Sequence, residues 1–336
     1  MSINSLSSQP LVFSILSIFL LYFLINWLFT NPSTKINLPP SPPKLPIIGH
    51  LHKLGLYPHL SLQTLAQKHG PLMRLQLGSK QTLVVSSADA AIEIMKTHDL
   101  IFANRPKSHV NKKLLYDFKD LSVAPYGEYW RQLKSICMLN LLGAKKVQSI
   151  RAVREEETAL LVKKITEESS SSSSGEVDLS VMFMTLTNDV ICRTAFGKKY
   201  SGGESGRKFR KMISEFVGVL GGFDVGTFIP RLAWVNHITG FNAKVDRIAK
   251  ELDDFLEGVV EEHSDPHKRG SNHGERIEGE GRDDFVDVLL GIYKNNKGAA
   301  GFSLDRDSIK ALILVSLSLS LCTEIFMLHS FQQLNF

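Results

Sequence analysis

Hydrophobic and polar positions along the chain follow three regimes. Residues 11–29, LVFSILSIFLLYFLINWLF, are apolar except for Ser14, Ser17 and Asn26, so the run has no polar face. Nineteen residues at 1.5 Å each predict a helix of about 28 Å, close to the thickness of a bilayer's hydrocarbon core. Near residue 70 the period shortens to two. Met73, Leu75 and Leu77 alternate, Gly78-Ser79 turns, and Leu83-Val84-Val85 follows, which predicts a β-hairpin. Ser87 is then placed to cap a helix from Ala88 to about Thr97. From Tyr129 onward the period is helical. Leu161 and Ile165 lie one turn apart on a charged helix, and Val245, Ile248, Leu252, Phe255 and Val259 predict a long amphipathic helix over 243–262. Phe285, Val288, Leu289 and Ile292 predict another, with Asp283 and Asp284 suited to its first turn. The predicted fold is mainly α with a small N-terminal β element.

The connecting segments have their own chemistry. LPPSPPKLPIIGH, residues 38–50, carries prolines at 39, 40, 42, 43 and 46, which hold it extended and stiff. It reads as a rigid spacer, with a PxxP ligand for an adaptor domain as the competing reading. The serines at 169–174 and the Gly-, His- and charge-rich stretch 263–283 read as loops. His263, His267 and His273 raise the question of a metal. A loop organises ligands at high entropic cost, and no spacing with cysteine or carboxylate fits a known site, so no metal centre is expected.

Composition narrows the class. An apolar fraction of 43% and a charged fraction of 22% over 336 residues are those of a globular protein. The net charge of +5 comes without a basic stripe carrying aromatics, so no nucleic-acid partner is expected. Cys137, Cys192 and Cys322 are far apart and odd in number, which excludes a disulfide framework and suits a reducing compartment. Cys137 and Cys192 lie in apolar helical stretches and read as small buried hydrophobes. No charged residue precedes Lys35, whereas Lys35, Lys44 and Lys53 follow the first apolar run. The positive-inside bias then puts the body of the protein in the cytosol. A cleaved signal peptide competes with this anchor, but the n-region is uncharged, the core is long, and TNPSTK is a poor cleavage site.

Several short motifs, in order, carry a resemblance: LPPSPPKLPIIGH, then FANRP (102–106), APYGEYWRQLKSIC (124–137), VREEE (153–157), RTAFG (193–197) and DDFVDVLL (283–290). With them, the chain resembles the plant microsomal cytochrome P-450 family, the haem-thiolate monooxygenases, as far as about Leu314. The resemblance implies a haem cofactor, an NADPH-dependent reductase as partner, a small lipophilic substrate, and a single-pass protein of the endoplasmic reticulum membrane. It divides the chain into an anchor at 11–29, a hinge at 30–50, the N-terminal part of a P-450 domain at 51–314, and a tail at 315–336. By the same resemblance Trp130 and Lys134, one turn apart, contact a haem propionate with Arg131 in support. Lys134 stands where many relatives have Arg, so it offers a point charge in place of a fork. The segment 106–123 resembles a loop over the substrate, with Phe118, Leu121 and Val123 lining the pocket. FIPRLAWV, residues 228–235, resembles a second membrane contact, with a plain buried loop as the alternative.

The family's oxygen-handling segment, its Glu-x-x-Arg pair and its axial-cysteine loop are not found in these residues. No catalytic residue or iron ligand is therefore assigned, and the P-450 fold is expected to be incomplete. The Leu-Ser alternation VSLSLSLC reads as a translated, pyrimidine-rich intron start, so residues after about Leu314 are expected to be aberrant and the fragment inactive. The apolar faces Val245–Val259 and Phe285–Ile292 are expected to lie exposed for want of partners.

Overall fold

A computed structural model describes residues 9–29, 38–140, 142–171, 177–265, 284–296 and 304–317. It divides into one unit of Met1–Asp99 with Phe228–Pro230, and a second of Leu100–Thr227 with Arg231–Phe336.

In the first unit the apolar run forms the helix Gln9–Phe29, and its described side chains, 12–25, are exposed. Among the described residues no single helix is long and apolar enough to cross a membrane, the apolar helical stretch found there being Val12–Ile25. The hairpin forms as its alternation predicts. Strands Leu72–Leu77 and Lys80–Val85 pair antiparallel, with Leu77 opposite Lys80, and Met73 and Leu75 are fully buried. Ser87 caps the helix Ala88–Ile92 by accepting from the Ala90 N–H, and a π-helical turn carries on to Thr97.

The proline segment does not stand free. The Arg74 N–H donates to the Pro40 carbonyl at 2.8 Å, and the His50 N–H to the Gln76 carbonyl at 2.6 Å. The buried His50 ring has its Nδ1 at 2.7 Å from the Gln76 N–H and its Nε2 at 2.8 Å from the Pro42 carbonyl. Those partners put the ring proton on Nε2. Residues 38–50 are thus part of this unit's fold, not a mere spacer. Gly49 and Gly78 are left-handed, and a Cβ there would stand 2.1 Å from the Gln76 carbonyl oxygen and 2.2 Å from that of Phe228. Only glycine fits either position.

The second unit is a helical core. Helix Glu128–Asn140 buries Leu133 and Cys137 on one face. Helix Arg151–Ser171 packs on Leu179–Phe196. Helix Gly203–Leu220 buries Phe209, Ile213, Phe216 and Val219, spaced at three and four residues. It packs on Phe241–Ser264, which buries Val245, Ile248, Leu252, Leu256 and Val259 and also contacts Phe285–Asn296. A helix over 306–317 contributes Ile309, Leu312, Ile313 and Leu317 to the same core. Phe196, Tyr200, Phe209 and Phe255 add a ring cluster with centroids 5.0 to 6.1 Å apart.

Three expectations need correction here. The faces Val245–Val259 and Phe285–Ile292 are not left exposed: Val245, Ile248, Leu252, Val259, Phe285 and Leu289 are buried, because these helices and 306–317 close on one another. The first serines of the 169–174 run extend a helix to Ser171, so only 172–174 fall outside the described residues. His263 ends a helix and is buried, while His267 and His273 lie outside the described residues. Its Nδ1 is 2.7 Å from the Val259 carbonyl and its Nε2 3.0 Å from Asp284, so both nitrogens face acceptors, an arrangement that favours the doubly protonated ring. Burial opposes that charge, but the Asp284 hydrogen bond and charge outweigh it and raise the His263 pKa. Asp284 also caps its own helix, accepting from the Asp287 N–H at 2.9 Å.

Candidate functional site

The residues singled out from the sequence gather at the start of helix Glu128–Asn140 and in the loop before it. Glu128 occupies the first turn, where its charge suits the helix dipole, and pairs with Arg131 at 3.0 Å. Arg131 lies on the exposed side, 5.9 Å from the Tyr126 ring centroid. Trp130 is half-buried, and its indole N–H donates to the Leu121 carbonyl at 3.1 Å. The Lys134 ammonium stands 4.9 Å from the Trp130 ring centroid, a cation–π contact one turn along the helix.

These placements decide how far the three residues fit a haem carboxylate. Lys134 fits: it is exposed and makes no ion pair among the described residues. Trp130 and Arg131 do not fit as arranged, because the indole N–H holds Leu121 and the guanidinium is paired with Glu128.

The loop is held in an unusual backbone. Tyr116, Asp117 and Phe118 are consecutive non-glycine residues at φ 50, 55 and 65°. Each left-handed residue costs about 1–2 kcal/mol, so the surroundings must fix them. They do so from both sides. The Tyr116 hydroxyl donates to Asp253 at 2.9 Å, and the Asp117 N–H to the Lys112 carbonyl at 2.9 Å. The Lys119 ammonium pairs with Asp305 and, at 3.1 Å, with Asp307, while Tyr129 donates to the Lys119 carbonyl at 2.8 Å. Lys310, nearly buried, joins Asp253 and Glu257 beneath the Tyr116 ring. Burial alone would lower the Lys310 pKa, but the hydrogen bond and charge of Asp253, aided by Glu257, raise it.

Of the pocket residues, Leu121 and Val123 are half-buried against the core, and Phe118 is half-buried with the Lys107 ammonium 5.7 Å from its ring centroid. The residue that sequence reasoning missed is Asp120. Its carboxylate is buried and accepts from both the N–H and the hydroxyl of Ser122. Burial outweighs those bonds and pushes its pKa up to about 6. Burial, with Asp120 nearby, pushes the Cys137 thiol up to about 11. Cys192 is fully buried and donates to Asn188 at 3.6 Å. Both sulfurs are buried and free, and Cys322 lies outside the described residues.

The 228–235 segment is split between the two alternatives. Ile229 is buried, while Trp234 is 57% exposed. The buried Asp224 ties the neighbouring turn, accepting from Gly226 at 3.0 Å and from Thr227 and Asn236 at 2.6 Å.

Residues 39–318 match the family profile described as Cytochrome P450. The chain belongs to the cytochrome P450 family. It is 51% identical over 311 residues to "Cytochrome P450 736A117" of Prunus mume, a match covering 91% of this chain and 57% of that one. It is 48% identical over 307 residues to "Norfluorocurarine oxidase" of Strychnos sp, covering 91% of this chain and 59% of that one. The chain thus spans less than two thirds of the length of either relative. A solved zebra fish cytochrome P450 with abiraterone shares the fold at a TM-score of 0.56 and 22% identity, over 78% of this chain and 54% of that one. The mainly helical P450 fold with its two-stranded sheet, read from the sequence, is borne out.

Proposed function

We propose that residues 1–336 are the N-terminal portion of a haem-dependent monooxygenase domain that oxidises a small lipophilic plant metabolite with electrons from an NADPH-dependent reductase. The observation that carries the reading is the family match over 39–318, at about half identity to plant relatives over most of the chain. A haem bound through a cysteine thiolate would supply oxygen activation, the thiolate donating electron density to the iron. This chain's own residues have other tasks. Lys134 offers a cation to a propionate, offsetting the cost of burying that carboxylate. Trp130 fixes Leu121, and the 116–123 loop presents Phe118, Leu121 and Val123 towards the substrate. Helix Gln9–Phe29, with no charge along it, anchors the body to the cytosolic side of the endoplasmic reticulum, and the 228–235 segment, with Trp234 exposed, makes a second contact with a bilayer.

A second reading concerns the 336-residue polypeptide acting alone. Both described cysteines are buried, and burial raises the Cys137 pKa, which supports an axial ligand from outside the described residues. Residues 1–336 by themselves are then a membrane-anchored, non-catalytic fragment. A reduced carbon monoxide difference spectrum tests both readings. Membranes holding residues 1–336 should give no thiolate-type Soret band. A chimera that joins residues 1–317 to the remaining length of the Prunus mume relative should give one, and Lys134→Glu should weaken its haem retention about tenfold. A thiolate band from residues 1–336 alone would sink the second reading, and a chimera without one would sink the first.

A further inference from the structure

Helices Phe241–Ser264 and Phe285–Asn296 pack together, and side chains that can ligate a metal converge where the first ends and the second begins. The ligand atoms of His263, Asp284 and Asp287 all lie within 4.8 Å of one another. None of the three belongs to the residues gathered around helix Glu128–Asn140. The His263 and Asp284 side chains are only 4% and 5% exposed. Asp287 is half-buried, so the cluster meets solvent on its side.

What separates this group from an acidic patch is the way its imidazole is held. The His263 Nδ1 is fixed by a group outside the cluster, the Val259 carbonyl at 2.7 Å, which turns Nε2 towards Asp284. A histidine that binds a metal is oriented in the same way, by a hydrogen bond from its other ring nitrogen. Asp284 is oriented as well. Its Oδ1 accepts from the Asp287 N–H at 2.9 Å, and its Oδ2 stands 3.0 Å from Nε2. Around a tetrahedral zinc ion, ligand atoms lie roughly 3.3–3.6 Å apart. The His263–Asp284 pair is close to that spacing, and a shift on the order of 1 Å brings Asp287 to it. The entropic objection to ligands in a loop does not apply, because His263 belongs to one helix and Asp287 to another. An imidazole with two carboxylates suits zinc better than magnesium or calcium, which take six or more oxygen ligands. The two carboxylates also balance a divalent charge, as a buried ion requires.

We propose that His263, Asp284 and Asp287 form a zinc site, completed by water, that fastens the end of helix Phe241–Ser264 to the start of helix Phe285–Asn296. The ion takes the place of the proton on Nε2, which passes to solvent. Because the three ligands come together only in the folded chain, zinc stabilises the fold by mass action.

The test uses residues 1–336 in detergent, purified without a histidine tag and stripped with a chelator. Cobalt(II), which reports its own geometry, is titrated first and followed by difference absorption. One equivalent should give the strong visible bands of four-coordinate cobalt, zinc should bleach them, and a hundredfold excess of magnesium should leave them. Zinc should also raise the melting midpoint of the chain. His263→Gln and Asp287→Asn should each weaken zinc binding at least tenfold. Asp287→Asn leaves the His263–Asp284 pair in place, so it reports on the ligand set even where His263→Gln fails to fold. The proposal is overturned by the absence of a saturable four-coordinate band, by magnesium competing as well as zinc, or by zinc binding unchanged in Asp287→Asn.

Discussion

The two units of this chain are ordered by different physics. In the first, the buried apolar side chains among the described residues are Pro42, Met73, Leu75 and Ile229, while Leu56 is 88% and Met95 78% exposed. Its geometry rests on directional contacts: the His50 ring between Pro42 and Gln76, and two glycines whose backbone no other residue can adopt without a clash. The second unit is held by area. Apolar ladders on Gly203–Leu220, Phe241–Ser264 and Phe285–Asn296 close on one another and on 306–317, with ion pairs such as His263–Asp284 at helix ends. Non-directional burial tolerates change at any one contact better than a unit with few contacts does. Its large side chains, however, carry more energy each.

That contrast can be broken most forcefully in the second unit. Phe216→Ala, at a fully buried ring, should lower unfolding stability by about 3–5 kcal/mol in urea denaturation followed by far-UV circular dichroism. A loss below about 1 kcal/mol would mean that the core is loose. Next is Asp120. Its folded pKa of about 6 lies above the unfolded value of about 3.9, so the folded state binds the extra proton. Its contribution is present below about pH 4 and is lost as pH rises through 6, a fall of about 3 kcal/mol. Asp120→Asn should flatten that slope in melting curves taken from pH 4 to 7. In the first unit, Gly78→Ala should cost about 2 kcal/mol locally and make the hairpin the earliest site of limited proteolysis, leaving the second unit's unfolding midpoint in place. Smallest of all, Leu56→Ala at an exposed side chain should shift nothing beyond about 0.5 kcal/mol.

How much of this was legible in the sequence follows the same division. Periodicity is a record of burial, so the helices of the second unit, the hairpin and the cap at Ser87 could be read directly. Directional contacts leave no periodic trace. Nothing in LPPSPPKLPIIGH announces that His50 reaches back to Pro42, and nothing around Tyr116–Phe118 announces three left-handed residues. The signal that could have helped lies far along the chain. The acidic residues of LDRDSIK, Asp305 and Asp307, find their cation in Lys119, which only the fold brings near. Exposure of the Val245–Val259 face was misjudged for the opposite reason, because a helix's partner cannot be read from its own pattern. The motifs placed Trp130 and Lys134 correctly on one helix, yet could not show that Leu121 already holds the indole.

The central claim, that the second unit contains a core sufficient to hold itself together while the first unit depends on a few directed contacts, is tested most directly by amide hydrogen exchange on the whole chain. Amides in Gly203–Leu220, Phe241–Ser264 and Phe285–Asn296 should exchange slowest and together, at the free energy of global unfolding, with those of Leu72–Val85 at least a hundredfold faster. Equal protection in the hairpin and the three helices, or fast exchange throughout the helices, would contradict it.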